Sequence, residues 1–99
     1  MNYKHLQYFH TVATVGSVVR AAEQLHVSAQ AISTQLQLLE DQFGEELLRK
    51  KGRGLVLTEA GKTVLRYTDQ IFSLGNELEQ AVRRGLFTET ETLRVGLCD

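Results

Sequence analysis

The chain has 99 residues, the size of one small domain or of a fragment. Eleven Lys and Arg against twelve Asp and Glu leave a formal net charge of −1, and 42% of the residues are hydrophobic, an ordinary balance for a folded chain. That charge argues against a uniformly basic nucleic-acid binder, and a lone cysteine, Cys98, excludes an intrachain disulfide and a cysteine-rich metal site.

Taken in chain order, the first helical stretch is expected from Tyr3 to Val15, with Leu6, Phe9 and Ala13 on one face and Asn2 as its N-cap. Gly16 breaks it, and Ser17 can cap a second short helix, VVRAAEQL. Ser28 can cap a third that runs to about Phe43, where Gly44 supplies a stop. Two β-prone runs, LLRK and LVLT, flank Lys51-Gly52-Arg53-Gly54 and predict a hairpin. Thr58 then caps a long helix continuing to about Arg84. Gly85 ends it, and LRVGL reads as a strand begun near the C-terminus.

Charge is unevenly placed along this order. Residues 1–66 carry eight basic and six acidic side chains, whereas residues 67–99 carry three and six. The first part is the one suited to a polyanion. No apolar run approaches a membrane span, and the N-terminus lacks a signal-peptide core, so a cytoplasmic chain is expected.

Two helices joined by a tight turn, with Ala21 and Ala22 permitting close approach and Leu25 and Val27 filling the space beneath, make a helix-turn-helix pattern. On the third helix, Ile32, Leu36, Leu39 and Phe43 form an apolar stripe, opposite Gln30, Ser33, Thr34, Gln37 and Asp41. Uncharged side chains that both donate and accept hydrogen bonds suit base edges in a major groove. Any amphipathic surface helix has a polar face, so the neighbouring features must decide. Arg49, Lys50, Lys51 and Arg53 place four positive charges within five residues, among glycines that let backbone approach a surface. Helix and basic wing together predict a mainly α winged helix-turn-helix: three helices, a two-stranded wing, then a long dimerisation helix.

The run GSVVRAAEQLHVSAQAISTQLQLLEDQFGEELLRKKGRGLVLTEAG closely resembles the N-terminal domain of LysR-type transcriptional regulators. The residues carrying the likeness include Gly16-Ser17, Ala21-Ala22, Val27-Ser28, Ile32-Ser33, Leu39-Glu40, Gly52-Arg53-Gly54 and Ala60-Gly61. The resemblance implies a bacterial-type regulator whose DNA-binding domain occupies residues 1–58. A linker and dimerisation helix would follow at 59–85, with the hinge and first strand of a truncated effector domain at 86–99. It also implies an interrupted palindromic operator, a homodimer, often a tetramer in full-length chains, and an effector sensed by the missing domain.

Carried over position by position, base readers fall at Ala29, Gln30, Ser33 and Thr34, a minor-groove arginine at Arg53, and phosphate contacts at Ser28 and Arg20. Gln37 on the polar face and Lys50 and Lys51 in the wing complete the expected DNA-binding set. The family commonly has Gln-Pro where this chain has Ala29-Gln30, and often Arg in place of Thr34, which removes a potential guanine reader. Gln30, KGRGL and RYTDQIFSL are instead similar to the sodium/proton antiporter regulator branch.

On the long helix, Val64, Ile71 and Leu78 recur every seven residues, flanked by Tyr67, Phe72 and Val82; these six are the expected dimerisation residues. His5, His10 and His26 lack metal-ligand spacing, and nothing suggests an activated nucleophile, so no enzyme activity, metal or cofactor is expected. The alternative is a winged-helix protein-interaction module, for which the Arg49–Arg53 cluster would be dispensable.

Overall fold

The structure is a computed structural model and describes residues 2–85. Its elements are α1 (Tyr3–Val15), α2 (Val18–Leu25), α3 (Ala29–Phe43), β1 (Leu48–Lys51), β2 (Gly54–Leu57) and α4 (Glu59–Arg83). The strand expected near the C-terminus, in 86–99, lies outside the described residues.

Side-chain caps set the helix starts. Asn2 Oδ1 accepts from the Lys4 N–H at 2.8 Å, Ser17 Oγ from Arg20 at 3.2 Å and Ser28 Oγ from Ala31 at 3.0 Å. Gly16 and Gly44 end α1 and α3 in the left-handed conformation, where glycine carries no Cβ penalty. The turn between α2 and α3 does the same without a glycine. His26 takes a φ of 58°, and its N–H reaches the Ala22 and Glu23 carbonyls. One of the histidines set aside as a metal ligand is thus a helix C-cap.

α1 packs across α2, α3 and β2, and α2 packs on α3. The core joins Leu6, Phe9 and Val12 of α1 to Ala21 and Ala22 of α2, Ile32 and Leu39 of α3, and Leu47 just before β1. The alanine pair is buried where α2 meets its neighbours, so small side chains stand at the close approach. The α3 stripe is narrower than its sequence suggests. Ile32 and Leu39 are buried and Leu36 half-buried, but Phe43, in the last turn, is exposed.

β1 and β2 pair antiparallel with Lys51 opposite Gly54, so Gly52 and Arg53 form a two-residue loop. Gly52 has a φ of 60° at its first position, the glycine-first pattern of tight hairpins. A carboxylate ties the wing to α3. Glu40 Oε2 accepts from the N–H of Leu47 at 2.8 Å and of Leu48 at 3.4 Å.

The start of α4 is fixed to the same segment. The Thr58 hydroxyl accepts from the Gly61 N–H at 3.0 Å and donates to the Glu46 carbonyl at 2.5 Å, while the Thr58 N–H donates to the Leu47 carbonyl at 3.1 Å. A Cβ at Gly61 would overlap that Leu47 carbonyl, so only glycine fits. Thr68, buried in the third turn, returns its hydroxyl to the Leu65 carbonyl. His10 of α1 meets Asp69 at 2.7 Å.

The fold is mainly helical with one two-stranded antiparallel sheet, the winged helix-turn-helix architecture read from the sequence. The chain divides into two compact units within α4, after Asp69. Among the described residues no helix is long and apolar enough to cross a membrane.

Candidate nucleic-acid interface

α3 presents Gln30, Ser33, Thr34 and Gln37 as exposed side chains, with Ala29 half-buried at its first position. Of these, only Gln37 has a side-chain hydrogen bond among the described residues, donating from Nε2 to Asp41 Oδ1 at 3.1 Å. The other polar groups are available to a ligand. Ser28 accepts a hydrogen bond as N-cap, yet its hydroxyl proton is left to donate, and an anion asks for a donor. Arg20 is exposed on α2.

Strand alternation sorts the wing cations. Lys50 shares a face with Leu48, opposite Leu55, whereas Arg49 and Lys51 point the other way. Arg49 pairs with Glu46 at 3.1 Å beside a 570 Å³ surface cleft that also takes in Glu45 and Glu59. Lys50 and Arg53 instead line a 520 Å³ groove with Ser33 of α3 and with Ser17, the N-cap of α2. Lys50, Ser33 and Gln37 also line an adjoining 340 Å³ cleft between α3 and the wing.

The structure therefore brings Ser33 of α3, the α2 start and two wing cations to one groove, with Gln37 lining the adjoining cleft. Lys51 is exposed on the opposite strand face, away from Lys50. A polyanion lying along this groove and the adjoining cleft would meet hydroxyl donors, two exposed cations and the Gln37 amide, groups suited to backbone neutralisation and base contact.

The sequence model described as "Bacterial regulatory helix-turn-helix protein, lysR family" matches residues 3–62. The chain belongs to the lysR family. It is 45% identical over 78 residues to the transcriptional activator protein NhaR of Escherichia coli K12, an overlap of 79% of this chain and 26% of that protein. It is 35% identical over 97 residues to the RuBisCO operon transcriptional regulator of Allochromatium vinosum, covering 98% of this chain and 32% of the relative. The chain thus spans about a quarter to a third of the length of these LysR relatives.

Among solved structures, a CbnR DNA-binding domain in complex with DNA matches with a TM-score of 0.76 and 36% identity, over 88% of this chain and all of that one. A BenM DNA-binding domain bound to catB site 1 DNA matches with a TM-score of 0.80 and 28% identity, over 85% and 93% of the two chains. This chain is a LysR-type helix-turn-helix DNA-binding domain, and its relatives are transcriptional regulators, a class without catalysis.

The six residues singled out on α4 divide by exposure. Val64, Ile71 and Phe72 are half-buried, whereas Tyr67, Leu78 and Val82 are exposed. Sequence reasoning passed over Leu74, 65% exposed on the same side of α4 as Tyr67 and Leu78. It placed Asp41 on the polar face and Glu40 in the family likeness but gave neither a role, since both roles rest on hydrogen bonds. The i, i+4 spacing of Gln37 and Asp41 was the one available signal.

Proposed function

We propose that this chain recognises double-stranded DNA sequence-specifically as a dimer, with α3 in the major groove and the wing tip at the minor groove. The observation that carries this reading is the groove shared by Ser33, Lys50 and Arg53 beside the exposed, uncharged face of α3. Ala29, Gln30, Ser33, Thr34 and Gln37 face the base edges, and Arg20, Ser28 and Lys50 hold phosphates along the groove, with Lys51 meeting phosphate from the other face of the wing. Arg53, carried on a two-residue turn, enters the minor groove.

Residues 1–58 form the DNA-binding unit and 59–85 the linker that pairs two copies, which places two α3 helices on the half-sites of an interrupted palindrome. Residues 86–99 lead into an effector-binding domain, through which a small molecule or ion acts on a cytoplasmic regulator, assembled as a dimer or tetramer. The DNA-complex and full-length neighbours of the family support this assignment.

Selection from randomised duplexes at fixed salt tests the reading. Enrichment of a site with two related half-sites is the expected result. Binding without enrichment would reduce the chain to a non-specific binder, and no binding would favour a protein-interaction module.

A further inference from the structure

We infer that Asp41 is a positioning residue that sets the Gln37 amide so that it reads adenine through N6 and N7 and disfavours guanine, making the position it governs an A·T pair. This rests on the DNA-reading role proposed for α3. Gln37 and Asp41 stand one helical turn apart on its polar face, in line with Gln30, Ser33 and Thr34.

An ionised carboxylate only accepts hydrogen bonds, so the amide facing it must offer nitrogen, not oxygen. Gln37 Nε2 lies 3.1 Å from Asp41 Oδ1, and Gln37 Oε1 has no hydrogen-bond partner among the described residues. The carbonyl and the second N–H on Nε2 are therefore the amide groups left open to a ligand. The carbonyl accepts from adenine N6. The second N–H on Nε2 keeps the bidentate pairing with adenine available.

Guanine matches this orientation less well. It presents O6 beside N7, so while the free N–H can meet N7, the open carbonyl faces O6 with no proton between them unless the amide turns the other way. That turn would set Gln37 oxygen against the Asp41 carboxylate. The carboxylate also brings a negative charge one turn from the acceptor-rich edge of guanine, which disfavours guanine a second time. A free glutamine would adapt to either pattern; the pair removes that adaptability.

The test is selection from randomised duplexes with the whole 99-residue chain and three variants. The wild type is expected to enrich an A·T pair at one position per half-site, and Gln37→Ala to flatten that position by roughly fivefold, with the others intact. Asp41→Ala frees the amide and is expected to raise the share of G·C pairs there by about twofold or more. Asp41→Asn removes the charge but retains an acceptor, and stays closer to the wild-type preference. Any uniform gain in affinity on losing the charge appears at all positions and is read separately.

The inference is overturned if Asp41→Ala selects the same base pair at that position as strongly as the wild type, or if the position governed by Gln37 takes a G·C pair in the wild type. Sequence selection that responds to Gln30→Ala but at no position to Gln37→Ala overturns it alone. Absence of any selection by the wild type overturns the DNA-reading role and this inference together. Both side chains are exposed, so the variants retain the fold.

Discussion

Four cations within five residues occupy different surroundings, and this decides what each can do. Arg49 is paired with Glu46, whereas Lys50 and Arg53 line the groove beside Ser33. Arg53→Ala is expected to weaken binding to duplexes about fivefold and to lower the salt slope by about one. Arg49→Ala should change affinity less than twofold, since exposed pairs contribute little and its charge is already answered. Fluorescence-anisotropy titrations over a range of salt measure both, and equal losses for the two variants would contradict the sorting. A second residue-scale prediction concerns Gly61. Alanine in a helix ordinarily gains about 1 kcal/mol over glycine. Here its methyl group would overlap the Leu47 carbonyl, which is held by its own hydrogen bond from Thr58. Gly61→Ala should therefore destabilise the fold by about 1–3 kcal/mol, read as a lower urea midpoint with an unchanged slope. A raised midpoint would refute the close approach.

At the scale of elements, α3, the wing and α4 converge on Leu47. Its N–H goes to Glu40 of α3, its carbonyl to Thr58 at the start of α4, and its side chain into the core. Glu40 thus sets the start of β1 relative to α3, and with it the spacing between the polar face of α3 and the Arg53 turn. Removing an acceptor from buried N–H groups costs about 1–3 kcal/mol. Glu40→Ala should show that loss in urea denaturation, while Glu40→Gln, which keeps one carbonyl, should lose less. Equal midpoints for both variants and the wild type would remove Glu40 from this role. The helices themselves were legible because their boundaries are written locally: Asn2, Ser17, Ser28 and Thr58 cap, and Gly16 and Gly44 stop. The Glu40 tie was not, because a carboxylate reaching backbone seven and eight residues away leaves no periodic trace. Phe43 misled for a related reason. It has the right angle on α3 for the core, but it sits in the last turn, where the angle no longer guarantees cover. His26 gave no warning either, since the left-handed turn it occupies is one that glycine or asparagine usually signals.

For the molecule as a whole, net charge conceals what position reveals. The basic groove and the acidic segment beyond residue 66 nearly cancel, leaving −1. The proposed assembly depends on placement in the same way. α4 runs 25 residues, about 37 Å, and carries apolar side chains on a side that the other described residues do not cover. The seven-residue series Val64, Ile71 and Leu78 was visible in the sequence, but the intervening series Tyr67, Leu74 and Ala81 completes the alternating three- and four-residue spacing of a helix–helix seam. Leu74 and Leu78 are each 65% exposed and Tyr67 56%. A second copy of α4 would bury all three, and such burial is worth about 1.5–3 kcal/mol for each large side chain. Leu74→Glu would place a charge in the seam without disturbing the core, because the side chain is exposed in the single chain. The expected outcome is a monomer by sedimentation velocity at concentrations where the wild type is dimeric, with helicity unchanged by circular dichroism. Affinity for a duplex holding two half-sites should fall much further than affinity for one half-site, since the second contact loses its tether. A dimer that survives Leu74→Glu and Ile71→Glu alike would move the assembly surface off this face of α4.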